Sequence, residues 1–291
     1  MLFNRLALGK IFDKRFFGLA LTHITLSLAY IIHSYALITF VKFQLMLSKD
    51  HIWRNLVEYL CVDLGMSEIA FNIHYLYQFL LPIFTGFVAV EYLRYKRQLM
   101  VNMASRSSCK LILHRQLAWY IAIKYTLAIF LSYLFMYLLM ALFMQPGSPD
   151  NIPPQFLLDI VSFDFIRNQY PLYLIIRDTF TYFFVPLGFF YQAANLALWA
   201  KNQVEGFLFP VFWLMGGTLI SQYLLGALPI PGWQTYFYYF GPLIVIAPDA
   251  IPHHTSTLGI MLALLVPVSL LSALSIYFRC KKHADFLSIN V

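Results

Sequence analysis

Few side chains in this 291-residue chain are of types that do chemistry, and their spacing decides what they can do. Gly9-Lys10 is the sole Gly-Lys pair, but a phosphate-cradling loop needs an earlier glycine and a following Ser or Thr. Asn4 and Ile11 stand in those places. No H-E-x-x-H or G-x-S-x-G occurs, and no apolar run carries paired acids, so neither zinc hydrolysis nor acyl transfer is expected. His23 and His33 are ten residues apart, too far for an i, i+4 metal pair, and read as hydrogen-bonded histidines inside a bundle. His253 and His254 beside Asp249 have metal-binding chemistry, yet two loop histidines do not make a site. Cys61, Cys109 and Cys280 are too few and too scattered for a disulfide framework or a zinc site. The expectation is a chain with no cofactor or metal of its own.

What remains is charge in unexpected places. "VEYLRYKRQLMVNMASRSSCK", residues 90–110, holds six charges, five of them basic, between two long apolar runs. On a helical wheel Tyr92, Tyr95, Leu99 and Met103 share one narrow face, while Arg94 and Arg97 point away. Val101 falls on the wrong side, and "ASRSSCK" breaks the helix before the next apolar run. A Tyr/Leu/Met stripe on a basic helix is a knob that can dock in another protein's groove. The plainer reading is an interfacial helix resting on acidic lipids.

The elements that must position these groups are membrane spans. The chain is 60% hydrophobic and 11% charged, with mean hydropathy +0.69, against roughly a quarter charged in soluble domains. Several apolar runs exceed the roughly 18 to 20 residues that cross a bilayer. The expected fold is all-α and polytopic, one membrane domain over 1–291, with six spans near 17–46, 75–93, 116–144, 172–199, 206–228 and 256–279. Residues 1–16, which mix Arg5, Lys10, Lys14 and Arg15 with Phe and Leu, read as an amphipathic surface helix. Of the 20 basic residues, 14 fall on one side of this layout and three in the opposite loops. The positive-inside rule therefore puts both termini in the cytoplasm. The segment 229–255 is broken by five prolines, and its apolar core, Tyr236 to Ala247, is too short to span. It reads as a re-entrant element on the outer side, or as an aromatic-rich interfacial loop.

Ionisable residues inside spans are costly and default to functional hypotheses. Lys124 either snorkels to the cytoplasmic interface or faces a pathway or an acidic partner on a neighbouring helix. Arg177 and Asp178 sit near the outer end of the fourth span. Adjacent helical positions do not face each other, so each is expected to have its own partner, Lys42 being a candidate mate for Asp178. Glu91 ends the second span and can neutralise Arg94 or Lys96. Gly217 and Ser221, with Gly216 adjacent, have the small-xxx-small spacing of a close helix contact.

"FVAVEYLRYKRQLMVNMASRSSCKLILHRQL" resembles the stretch after the second span of ABC-2-type permeases, the membrane subunits of ATP-binding-cassette exporters. Glu91 matches an acid at the span's end, Arg94 to Met103 a short cytoplasmic helix, and "ASRSS" with Lys110 the turn into the third span. The resemblance implies a coupling helix over 92–105, with Glu91, Tyr92, Arg94, Tyr95, Lys96, Arg97, Leu99 and Met103 as ATPase-coupling residues. It further implies two copies of a separate ATPase carrying ATP and Mg, and a second permease subunit, identical or not. The setting would be a plasma membrane of bacterial type, with lipids as further partners and no nucleic acid. The chain itself would be no enzyme. Its richness in Phe and Tyr, 28 and 20 residues, leans toward an amphipathic or hydrophobic cargo such as a peptide, antibiotic or lipid. A non-catalytic membrane sensor or assembly protein shares this composition and topology; an integral membrane enzyme fits less well.

Overall fold

A computed structural model of the chain describes residues 11–46, 66–103, 110–143, 163–220 and, near the end, 270, 272–274 and 276–278. The described residues are helical throughout their elements, with no strand among them. In chain order they form α1 (Lys14–Met46), α2 (Met66–Met103), α3 (Lys110–Phe143), the short α4 (Phe163–Asn168), α5 (Tyr170–Thr179), α6 (Val185–Leu196) and α7 (Gln203–Leu219). Among the described residues three stretches are long and apolar enough to cross a membrane: Lys14–His33, His114–Leu142 and Tyr170–Trp199. Residues 229–255, the last expected span up to residue 269, and residues 1–10 of the surface segment lie outside the described residues.

Two boundaries differ from the expectation. The first is at the N-terminus. Residues 14–16 are the opening turn of α1 rather than the end of a separate surface helix, because Asp13 caps that turn. Its Oδ1 accepts hydrogen bonds from the backbone N–H groups of Arg15 (3.1 Å) and Phe16 (2.9 Å). The second is in α2. The expected second span and the expected coupling helix are one unbroken helix of 38 residues. At ~1.5 Å per residue it is about 57 Å long, well beyond a hydrocarbon core of about 30 Å. No glycine or proline interrupts it after Gly86, so nothing in the sequence stops the helix where the apolar run ends.

The stretch 170–199 follows one course but changes its winding. Phe180–Phe184 form a π turn in which the Val185 N–H reaches back to the Phe180 carbonyl. Pro186 follows immediately. It has no N–H to offer Tyr182, and its ring would crowd that carbonyl, so the helix widens there instead of breaking. At the other end Asn202 caps α7, accepting from the Glu205 N–H at 2.8 Å. The Glu205 carboxylate answers by taking the Lys201 N–H, also at 2.8 Å.

The core lies where α2, α3 and the π turn with α6 meet, centred on Tyr77, Leu81, Phe84, Tyr92, Leu117, Ile121 and Phe190. α1 lies against α3 and α2, and α7 makes its main contact with α2. That last contact depends on glycine. A Cβ on Gly86 would stand 2.6 Å from the Phe207 ring and 2.9 Å from its carbonyl oxygen. Gly206 in turn receives the Leu93 side chain. Gly216 and Gly217, two of the three residues expected to give a close approach, lie toward the far end of α7 from Gly206. A Cβ on Gly216 would touch nothing among the described residues, and Ser221 lies outside them.

Candidate functional site

The charged residues singled out in the sequence gather at two levels of the bundle. At the N-terminal end of α1, Lys124 of α3 is fully buried and donates to Asp13 Oδ2 at 2.7 Å. Its ammonium also approaches the Tyr95 hydroxyl at 3.4 Å and lies 5.4 and 5.1 Å from the Tyr95 and Tyr125 ring centroids. Lys124 thus has an acidic partner at the start of a neighbouring helix, one of its expected courses. The Asp13 carboxylate does two jobs at once, holding the first turn of α1 with one oxygen and Lys124 with the other. Burial alone would push its pKa up. The Lys124 ammonium and the Phe16 and Arg15 N–H groups outweigh burial and hold it below the usual 3.8.

Beside this pair, Glu91 is buried on α2 and joins α1 through a hydrogen-bonded ion pair with Arg15; Arg94 lies 3.7 Å from its other oxygen, one turn on. Glu91 thus serves Arg94 locally, as expected, and Arg15 across helices. Lys96 is half-buried, while Arg94 and Arg97 are exposed. Tyr95 is half-buried, with its ring edge-on to Tyr120 at 6.2 Å. Burial, and then the Asp13 and Glu91 charges, push its phenol pKa up. Tyr92 is the clear correction to the docking stripe. It is fully buried, with its hydroxyl 2.6 Å from His114 Nδ1, while His114 Nε2 lies 2.9 Å from Asn195 Oδ1. The wheel put Tyr92 beside Leu99 and Met103, but α3 and α6 cover that part of α2. The side chains of Leu99 and Met103 lie outside the described residues.

The second level holds Arg177 and Asp178. Both are buried, and the two adjacent residues, expected not to face each other, do pair. Arg177 Nε reaches Asp178 Oδ1 at 2.9 Å. Backbone geometry separates adjacent Cβ atoms, but the long guanidinium stem folds back along its own helix. Asp178 Oδ2 also accepts a hydrogen bond from the Tyr133 hydroxyl of α3. Tyr133 stacks on Tyr182 with centroids 3.9 Å apart, so the pair is packed under aromatic rings. The Lys42 side chain, proposed as a mate for Asp178, lies outside the described residues.

Asp13, Arg15, His114, Asn195 and Tyr133 were not singled out by the sequence reading. Asp13 alone left a signal, an aspartate three residues before Phe16 at the start of an apolar periodic run. Among the described residues no group of His, Cys, Asp and Glu could hold a metal. The arrangement is mechanical in character: two acids tie the start of α1 to the buried flank of α2 and to α3. No family model matches the chain, and no curated protein or solved structure matches it either.

Proposed function

We propose that this chain is the membrane-spanning subunit of an ABC-type exporter, in which α2 is the lever that a separate ATPase moves. The observation that carries the reading is the continuity of α2. One helix runs from the core at Tyr77 and Leu81 through Glu91 into the basic segment ending at Met103, with Arg94 and Arg97 exposed. A push on the 94–103 end is passed along an unbroken helix, and the Glu91–Arg15 and Lys124–Asp13 pairs carry it into α1 and α3. In this reading the chain has six spans with both termini cytoplasmic and works beside a second permease subunit. Two ATPase copies bind ATP and Mg, and the cargo is amphipathic or hydrophobic. In this reading the ATPase grips the segment 94–103 through the exposed Arg94 and Arg97 and, as the sequence pattern expects, through Leu99 and Met103, since Tyr92 packs inward.

The test is co-purification from native membranes followed by nucleotide hydrolysis. Arg97→Glu with Leu99→Asp and Met103→Asp should release a nucleotide-hydrolysing partner while the protein remains in the membrane. Tyr92→Phe should keep the partner bound. A partner retained equally by all three forms, or no such partner at all, overturns the proposal.

A further inference from the structure

The centre of the bundle holds a polar group that the mechanical reading does not use. His23 of α1 is fully buried, with its Nδ1 2.7 Å from Ser132 Oγ of α3. The Ser132 hydroxyl donates its hydrogen to the Ile129 carbonyl, also at 2.7 Å. Ser132 Oγ can therefore only accept from His23, so the imidazole carries its hydrogen on Nδ1 and leaves Nε2 as a bare base. Nε2 meets no hydrogen-bonding group among the described residues. The same is true of Ser27 Oγ, one turn further along the same face of α1, and of the Tyr77 hydroxyl of α2. The ring sits edge-on to Tyr77, Phe84 and Tyr182, at 6.0, 6.1 and 6.2 Å. Tyr182 stacks on Tyr133, which is bonded to Asp178.

We propose that His23 is a proton-binding site whose occupancy is linked to the separation of α1 from α2 and from the π turn that carries Tyr182. In the packed state the ring is neutral and its Nε2 is shut away from water. When the helices part and water enters beside Ser27 and Tyr77, hydronium gives up a proton. One O–H bond breaks, an Nε2–H bond forms, and water is left. The imidazolium keeps its Nδ1–H bond to Ser132. The polar groups around it come from every helix packed there: Tyr77 of α2, Ser132 and Tyr133 of α3, and Tyr182 and the Asp178–Arg177 pair of the 170–199 stretch. Phenols and guanidinium groups ordinarily titrate far above neutrality. This inference does not depend on the exporter reading, since it concerns the core and not the docking face.

Linkage sets the size of the effect. If only the opened state takes the proton, each pH unit below an ordinary imidazole value of about 6.5 multiplies the opened population up to ~10-fold. The experiment uses the full chain in lipid nanodiscs with 15N-labelled histidine, followed from pH 8 to pH 4. One set of ring-nitrogen signals, absent from His23→Gln, should show the neutral Nδ1–H form at pH 8 and convert to imidazolium on acidification. Ser132→Ala assigns the same signals by shifting them should His23→Gln not fold. Over the same range, amide exchange of residues 17–33, corrected for intrinsic chemistry, should accelerate in the wild type and in Asp13→Asn but not in His23→Gln. A neutral Nε2–H form at pH 8, no conversion down to pH 4, or equal acceleration in His23→Gln would each show that the histidine only packs the core.

Discussion

Substituting Asp13 and Lys124 should have unequal effects, and the inequality follows from their burial. Lys124 is fully buried, whereas the Asp13 side chain is a third exposed. Asp13→Asn keeps the cap on α1, because Asn caps as well as Asp, but strips Lys124 of its counter-ion. Orphaning a buried charge costs about 3–5 kcal/mol, and partial solvent access at Asp13 favours the lower end, about 3 kcal/mol. Lys124→Met removes the buried charge itself. Asp13 then retains its two backbone N–H bonds and water, so the cost should stay below about 1 kcal/mol. The double substitution should resemble Lys124→Met alone, which gives a coupling of about 3 kcal/mol. Equilibrium unfolding in mixed micelles, followed by loss of helicity, measures all four corners. The pH dependence has a defined sign. The folded pKa of Asp13 lies below 3.8, so its contribution is fully present above that value and is lost as pH falls through the lowered one. Asp13→Asn should lack this acid-range loss. Equal costs for the two single substitutions, or an Asp13→Asn protein as stable as wild type, would refute the idea that Lys124 is held by Asp13.

Two further substitutions test the packing. Gly86→Val should lose about 1–3 kcal/mol, since its side chain would meet the Phe207 backbone, which cannot move aside as a side chain can. Gly188→Ala, whose Cβ meets nothing within 4 Å, should be neutral or stabilising in the same unfolding assay. Asp178→Asn and Arg177→Met should each cost about 3–5 kcal/mol, and the double substitution less than either, as expected of a buried ion pair. If the two losses simply add, the residues are not paired.

Which parts of this molecule could be read from the sequence follows from the range over which each interaction acts. Helix, apolar runs and the cationic segment after Val90 are local or compositional, and the described residues bear out an all-helical chain with stretches able to cross a membrane. Helix ends are harder, because they depend on a few capping bonds. Asp13 carried the signal for the start of α1 but stood inside a segment already periodic in Phe and Leu, and the cap was hidden by that pattern. The continuity of the second apolar run with the helix after it was missed for the opposite reason: hydropathy changes at Glu91, but helix propensity does not, and the backbone follows propensity.

Partners are harder still. A buried charge tells the reader that it needs a mate, since its desolvation must be offset, but not which mate. Asp13 and Lys124 are 111 positions apart, Arg15 and Glu91 76 apart, and many acids would satisfy the same requirement. Arg177 and Asp178 show the reverse error. Their adjacency argued against pairing on backbone geometry, yet a guanidinium on a three-carbon stem is not bound by the direction of its Cβ. The same reasoning explains Tyr92. A wheel ranks positions by angle alone, and it cannot show that α3 and α6 cover Tyr92. A docking face on a helix that leaves a bundle is therefore set by where its neighbours stop, and on α2 the cover of α3 still reaches Tyr95, which meets Tyr120 and Lys124 while Arg94 and Arg97 on the other side are exposed.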